Sequence, residues 1–99
     1  MRKALFLDRD GVINLDKKYT FRKEDLKFVD GIQDLIKEAK LKGYYVICIT
    51  NQSGIARGFF TKNDFHKFMK YLNFKLKTNI GFELDAYYFC PHHPDGKIP

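Results

Sequence analysis

Ala4-Leu5-Phe6-Leu7-Asp8-Arg9-Asp10-Gly11 is the stretch on which the reading of this chain turns. Ala4 to Leu7 is a short apolar run of the kind that fills a buried parallel strand, and it stops at Asp8. Two carboxylates, Asp8 and Asp10, then sit at the strand exit, and Gly11 lets the chain turn sharply after them. The plain reading of Asp-x-Asp-Gly is a strand-to-turn transition. The chemical reading gives one carboxylate to attack on phosphorus or to a magnesium ion, and the other to moving a proton.

Outward from this stretch, sequence from Arg9 to about Val29 is polar, dotted with aromatics and irregular. Asp30 is expected to cap a helix from about Gly31 to Lys42, whose Ile32, Leu35, Ile36 and Ala39 share one face. Gly43 is a natural stop. Tyr44 to Ile49 reads as a second buried strand with Thr50 at its exit, and Asn51 to Gly58 reads as a loop. Thr61 and Asp64 resemble a capping box, with Asp in the usual Glu position. The helix they open carries a core stripe of Phe65, Phe68, Met69, Leu72 and Leu76, and ends at Asn79 and Gly81. Leu84 to Phe89 is expected as a third strand, leading into Cys90-Pro91-His92-His93-Pro94-Asp95-Gly96.

Strand, helix, strand, helix, strand makes two βαβ crossovers, so the fold class is α/β with a Rossmann-like parallel sheet. Chemistry in such sheets gathers at the carboxyl ends of the strands. The polar stretches Asp8–Asn14, Thr50–Gly58 and Cys90–Gly96 all fall there.

Composition bounds what remains. The chain has 99 residues of one texture, 44% apolar and 30% charged, which suits one globular domain rather than disorder. Its apolar runs are too short to span a bilayer, and Met1-Arg2-Lys3 leads into no signal-peptide core. Cys48 and Cys90 cannot make a disulfide scaffold, so a cytoplasmic location is expected. The net charge of +6 suits an anionic partner, but the lysines are scattered and do not choose which one. The aromatics fall on core stripes rather than among the lysines, which argues against a nucleic-acid-binding module. Cys48 reads as a small buried hydrophobe and His66 as a surface histidine; Arg57 either meets an anionic substrate or is solvated.

Phe6 to Asn14 resembles the first motif of the haloacid dehalogenase-like phosphatases. Ile49 to Gly58 and Tyr88 to Pro94 narrow the resemblance to the D-glycero-D-manno-heptose-1,7-bisphosphate 7-phosphatases. Their relatives, the histidinol-phosphatases, share the first motif and the cysteine-histidine loop but differ after Thr-Asn-Gln. The resemblance implies Asp8 as nucleophile through an aspartyl-phosphate, and Asp10 as general acid and base. It implies Mg²⁺ on the Asp8 carboxylate and the Asp10 main-chain carbonyl, with Thr50 holding the phosphoryl group. Asp16, Lys17, Lys18, Tyr19, Asn51, Gln52 and Ser53 would contact substrate. Cys90 and His92 would be two ligands of a structural Zn²⁺, whose other pair lies beyond Pro99 in the family.

The family's lysine and later acidic motifs are also absent, so residues 1–99 read as the N-terminal part of a single haloacid dehalogenase-like phosphatase domain, truncated after about three strands. The resemblance implies a phosphorylated sugar as substrate, in supply of heptose for lipopolysaccharide and other surface polysaccharide. It implies no nucleic-acid or membrane partner, and a monomer when full length. The 99-residue chain by itself is expected to be an impaired enzyme. The alternatives are a histidinol-phosphatase, and an inactive remnant that binds phosphorylated ligands.

Overall fold

The computed structural model describes residues 2–17 and 20–90. Strands β1 (Ala4–Leu7), β2 (Tyr45–Asn51) and β3 (Ala86–Cys90) form a parallel sheet in the order β1-β2-β3. Ala4 pairs with Tyr45 and Leu7 with Cys48; Ile47 pairs with Ala86 and Asn51 with Cys90. Helix α1 (Ile32–Leu41) connects β1 to β2, and α3 (Lys62–Ile80) connects β2 to β3.

Right-handed crossovers that advance steadily in one direction keep their helices on one face. Here α1 and α3 pack against each other on that face. Leu7, Val46 and Cys48 from the strands meet Ile32, Ile36, Phe65, Phe68, Met69, Leu72 and Leu76 from the helices in the core. Each such side chain contributes roughly 1.5–3 kcal/mol through burial. The other face carries Phe6, Tyr45, Ile49 and Tyr88, all exposed, with Phe6 at 59% and Tyr88 at 61%. The apolar runs of β1 and β2 are therefore buried on one side only, not on both as their composition suggests.

The helix termini refine the sequence reading. Asp30 does not cap α1; Gly31 does, at φ 83, without a side-chain bond. A left-handed cap is a position glycine fills at little cost. Leu35 belongs to the expected stripe yet is exposed. In α3 the capping box forms as read: Asp64 N–H donates to Thr61 Oγ1 (3.0 Å) and Thr61 N–H to Asp64 Oδ2 (2.9 Å). The stretch after β2 is not all loop, because residues Ser53–Ala56 form a one-turn helix, α2.

The third strand starts at Ala86 rather than Leu84. Leu84 is buried and its N–H donates to Asn73 Oδ1 of α3, so it packs as an anchor before pairing begins. Asp85 then fastens three elements. Its carboxylate accepts from Lys40 Nζ of α1 (2.6 Å) and from Val46 N–H of β2 (2.7 Å), just before β3.

Candidate active site

The turn after β1 is wound around one carbonyl. Arg9 O accepts the N–H groups of Val12, Ile13 and Asn14, and Gly11 takes φ 87 to make this possible. The segment that read as irregular returns along this turn: Val29 N–H donates to Ile13 O and Leu15 N–H to Lys27 O, with a 3₁₀ turn at Lys23–Asp25 between. Asp8 and Asp10 thereby enter different surroundings.

Asp8 is exposed, and its Oδ1 accepts the N–H of Arg9 (2.8 Å). The Asp10 carboxylate is largely buried and accepts four hydrogen bonds. Arg9 Nε reaches Oδ1 at 2.9 Å and Arg9 Nη2 reaches Oδ2 at 3.1 Å. Asn14 Nδ2 reaches Oδ1 at 3.0 Å, and Gln52 Nε2 reaches Oδ2 at 3.2 Å. Gln52 Nε2 also donates to Thr50 Oγ1 (2.9 Å), which leaves the threonine hydroxyl proton free for another acceptor. Asp10, Thr50 and Gln52 thus form one network across the exits of β1 and β2, and Thr50 and Gln52 are both buried.

The remaining sequence candidates are placed less centrally. Asn51 is exposed, and strand alternation puts it on the bare face, opposite Thr50. Asp16 and Lys17 are exposed on the loop, and Lys17 N–H donates to Thr20 Oγ1 (3.0 Å). Lys18, Tyr19 and His92 lie outside the described residues, as does the side chain of Ser53. Cys90 ends β3 with an exposed thiol. His66 is exposed and its ring lies 3.1 Å from the Tyr87 hydroxyl. A groove of about 390 Å³ lies between the 3₁₀ turn and α3, lined by Phe21, Lys67 and Tyr71 among others, and neither Asp8 nor Asp10 lines it.

Two participants were missed from sequence. Arg9, between the aspartates, has no solvent exposure at all, and Asn14 is equally buried. An arginine in a polar turn carries no sequence mark of burial. The Asn14 Oδ1 atom is the one buried side-chain polar atom without a partner among the described residues. Behind the network lies dry ground: burial, with a smaller contribution from Asp8 and Asp10 and opposed by Arg9, pushes the Cys48 thiol up to about 12.

The donor chemistry suits a small, hard cation only at Asp8. The Asp10 carboxylate is engaged by four donors, which leaves the exposed Asp8 carboxylate, with its one bond from Arg9 N–H, to meet a cation, while the turn's own amides bond to Arg9 and Asn14 instead. Magnesium accepts one or two carboxylates and keeps several waters. Among the described residues no group of three or more His, Cys, Asp or Glu could hold a metal.

The three-stranded parallel sheet with its helices matches solved haloacid dehalogenase-like phosphatases. The solved D,D-heptose 1,7-bisphosphate phosphatase of B. bronchiseptica, complexed with magnesium and phosphate, superposes with a TM-score of 0.85 at 32% identity, covering 94% of this chain and 52% of that one. The phosphatase of the same name from Burkholderia thailandensis gives a TM-score of 0.68 at 30% identity, over 92% of this chain and 54% of that one.

More particularly, the chain is homologous along nearly its whole length to the D-glycero-beta-D-manno-heptose-1,7-bisphosphate 7-phosphatases, as its motifs suggested. The Helicobacter pylori (strain 26695) protein of that name is 54% identical over 93 residues, which are 94% of this chain and 54% of the relative. The Haemophilus ducreyi protein is 41% identical over 96 residues, 97% of this chain and 53% of the relative. The chain spans about half the length of the curated relatives it matches. No family model matches it.

Proposed function

We propose that this chain carries the nucleophile-bearing part of a magnesium-dependent phosphatase that removes the 7-phosphate of D-glycero-D-manno-heptose 1,7-bisphosphate. The observation that carries the reading is the division between the two aspartates: Asp8 is exposed, while Asp10 is held by four donors. Asp8 attacks phosphorus as the bond to the sugar oxygen breaks, and that oxygen takes a proton from Asp10, which must first release one of its four donors and gain that proton from water. Water then attacks the aspartyl-phosphate, giving its proton to Asp10, and inorganic phosphate leaves Asp8. Magnesium, bound by the Asp8 carboxylate and the Asp10 carbonyl, supplies charge that offsets that of the phosphoryl group.

Thr50 donates its hydroxyl proton to a phosphoryl oxygen. Gln52, Ser53 and Asp16 to Tyr19 contact the substrate, and Cys90 with His92 would supply half of a structural zinc site. Residues 1–99 are then the N-terminal part of a single cytoplasmic domain, one that contacts neither nucleic acid nor membrane and is monomeric when full length. Homology to enzymes named for this substrate, and the magnesium and phosphate of the B. bronchiseptica structure, support the reading. Among the described residues no helix is long and apolar enough to cross a membrane.

The test is single-turnover incubation of the chain with Mg²⁺ and either the heptose bisphosphate or histidinol phosphate. Phosphate release and the mass of the Asp8 peptide are followed. The expected result is a phosphorylated Asp8, absent in Asp8→Asn, and a higher kcat/KM for the bisphosphate. Equal or better use of histidinol phosphate reassigns the substrate. Ligand binding without adduct or turnover makes the chain a phospholigand binder.

A further inference from the structure

We infer that Arg9 is a positioning residue: its buried guanidinium fixes the Asp10 carboxylate and, through Thr20, the Lys17 backbone in one rigid frame. The catalytic consequence rests on the phosphatase reading above; the frame itself does not.

Packing does not account for an arginine here. Its side chain is fully buried against α3, with the guanidinium carbon 4.6 Å from the Phe68 ring centre and 5.6 Å from that of Phe65, and Nη1 3.8 Å from Met69 Sδ. Apolar side chains in place of the whole Arg9–Asp10 pair would fill that space without removing charge from water, and such replacements of both partners are often neutral or stabilising. What an apolar side chain lacks is the fork. Arg9 presents Nε and Nη2 to the two oxygens of one carboxylate, and Nη2 also donates to Thr20 O at 2.6 Å. The aromatic face of Phe68 holds the guanidinium, and bidentate geometry passes that hold to the carboxylate. Asn14 and Gln52 add one amide to each oxygen.

The second bond of Nη2 carries the frame further. Thr20 receives Arg9 at its carbonyl and the Lys17 N–H at its hydroxyl, so Lys17 and Thr20 hang from the same guanidinium. The proton-transfer carboxylate and the loop assigned to substrate contact thus share a support. Misplacement by about 1 Å can cost on the order of 10²-fold in rate, so a support of this kind has catalytic weight.

The experiment compares the chain with Arg9→Lys, which keeps the charge but replaces the fork by a point donor. The substrates are an alkyl ester, the heptose bisphosphate, and p-nitrophenyl phosphate, whose leaving group needs no acid. Release of the leaving group is read in a single turnover, after circular dichroism has checked the fold. The expected result is a loss of about 10²-fold in rate on the alkyl ester with KM within a few-fold, and a loss at least tenfold smaller on the nitrophenyl ester. A merely structural role slows both esters equally, and that result overturns the inference.

A second arm needs no turnover. In Arg9→Lys the side-chain amide resonances of Asn14 and Gln52 shift and the Lys17 amide exchanges faster; unchanged spectra overturn the inference. In the unaltered chain, the Arg9 Nε–H is expected to be protected from exchange with water, and rapid exchange overturns the frame even if the variant does not fold. If the unaltered chain phosphorylates Asp8 with neither ester, the phosphatase reading falls while the amide and Nε–H measurements still judge the frame.

Discussion

Asp8 and Asp10 differ by two positions in sequence and by most of their environment in space. Removing charge from each therefore has a different cost in stability. Asp8→Asn is expected to melt close to the unaltered chain, since Asp8 is exposed. Asp10→Asn leaves the buried Arg9 without its counter-charge, and breaking such a pair costs about 3–5 kcal/mol. Thermal denaturation of the two variants checks this, and equal melting temperatures would show that Arg9 is not dependent on Asp10. The two cysteines separate in the same way. A thiol pushed up to about 12 is almost wholly protonated at neutral pH, so Cys48 should resist iodoacetamide while the exposed Cys90 reacts. Mass spectrometry should find one label on the folded chain and two after denaturation. The aspartate pair and Thr50 were legible because each follows an apolar run directly. Arg9 and Asn14 were not, because their burial depends on α3 and on the turn closing over them, neither of which is local.

At the scale of the element, α3 was the most legible part of the chain: its stripe and its capping box both formed as read. Thr61→Ala removes one half of that box and should cost about 1 kcal/mol, or roughly 4–8 °C in melting temperature for a domain of this size. The boundaries set by distant contacts were not legible. Leu84 reads as strand, but Asn73 of α3 holds its N–H, and Asp85 marks where pairing starts. The Asp85 carboxyl gives this junction an acid limit. Burial pushes it up, but the hydrogen bonds from Lys40 and Val46, with the charges of Lys40 and Arg2, outweigh burial and leave it below the usual value of 3.8. A depressed carboxyl contributes its stability above the unfolded value and loses it as pH falls through the folded one. The melting temperature of the chain should therefore drop more steeply below about pH 4 than that of Asp85→Asn, which has no such group to protonate. Parallel acid profiles would remove Asp85 from that role.

For the molecule as a whole, the order β1-β2-β3 matters more than any one contact. Sequence gave the strands, the helices and the parallel sense, but an apolar run looks the same whether one or both of its faces are covered. The steady advance of the strands places both long helices on one side, and Phe6, Tyr45, Ile49 and Tyr88 remain on the other, beside the open edge of β1. Apolar surface next to an unpaired edge favours association. Sedimentation should find the chain self-associating as concentration rises, and Phe6→Lys with Ile49→Lys should reduce this without lowering the melting temperature. The same strand order also governs how the chain folds. Neither neighbour in the sheet can be reached by a hairpin, because each strand meets its partner about forty residues later, after a full helix. Closing those loops costs entropy before any ladder bond repays it, so local contacts can form quickly while the sheet waits. α3, with its capping box and unbroken stripe, is the element best able to form early and offer β2 and β3 a surface on which to meet. The Asp8–Asp10 turn reaches its final packing only when Arg9 meets α3, so the chemical centre leans on an element far away along the chain.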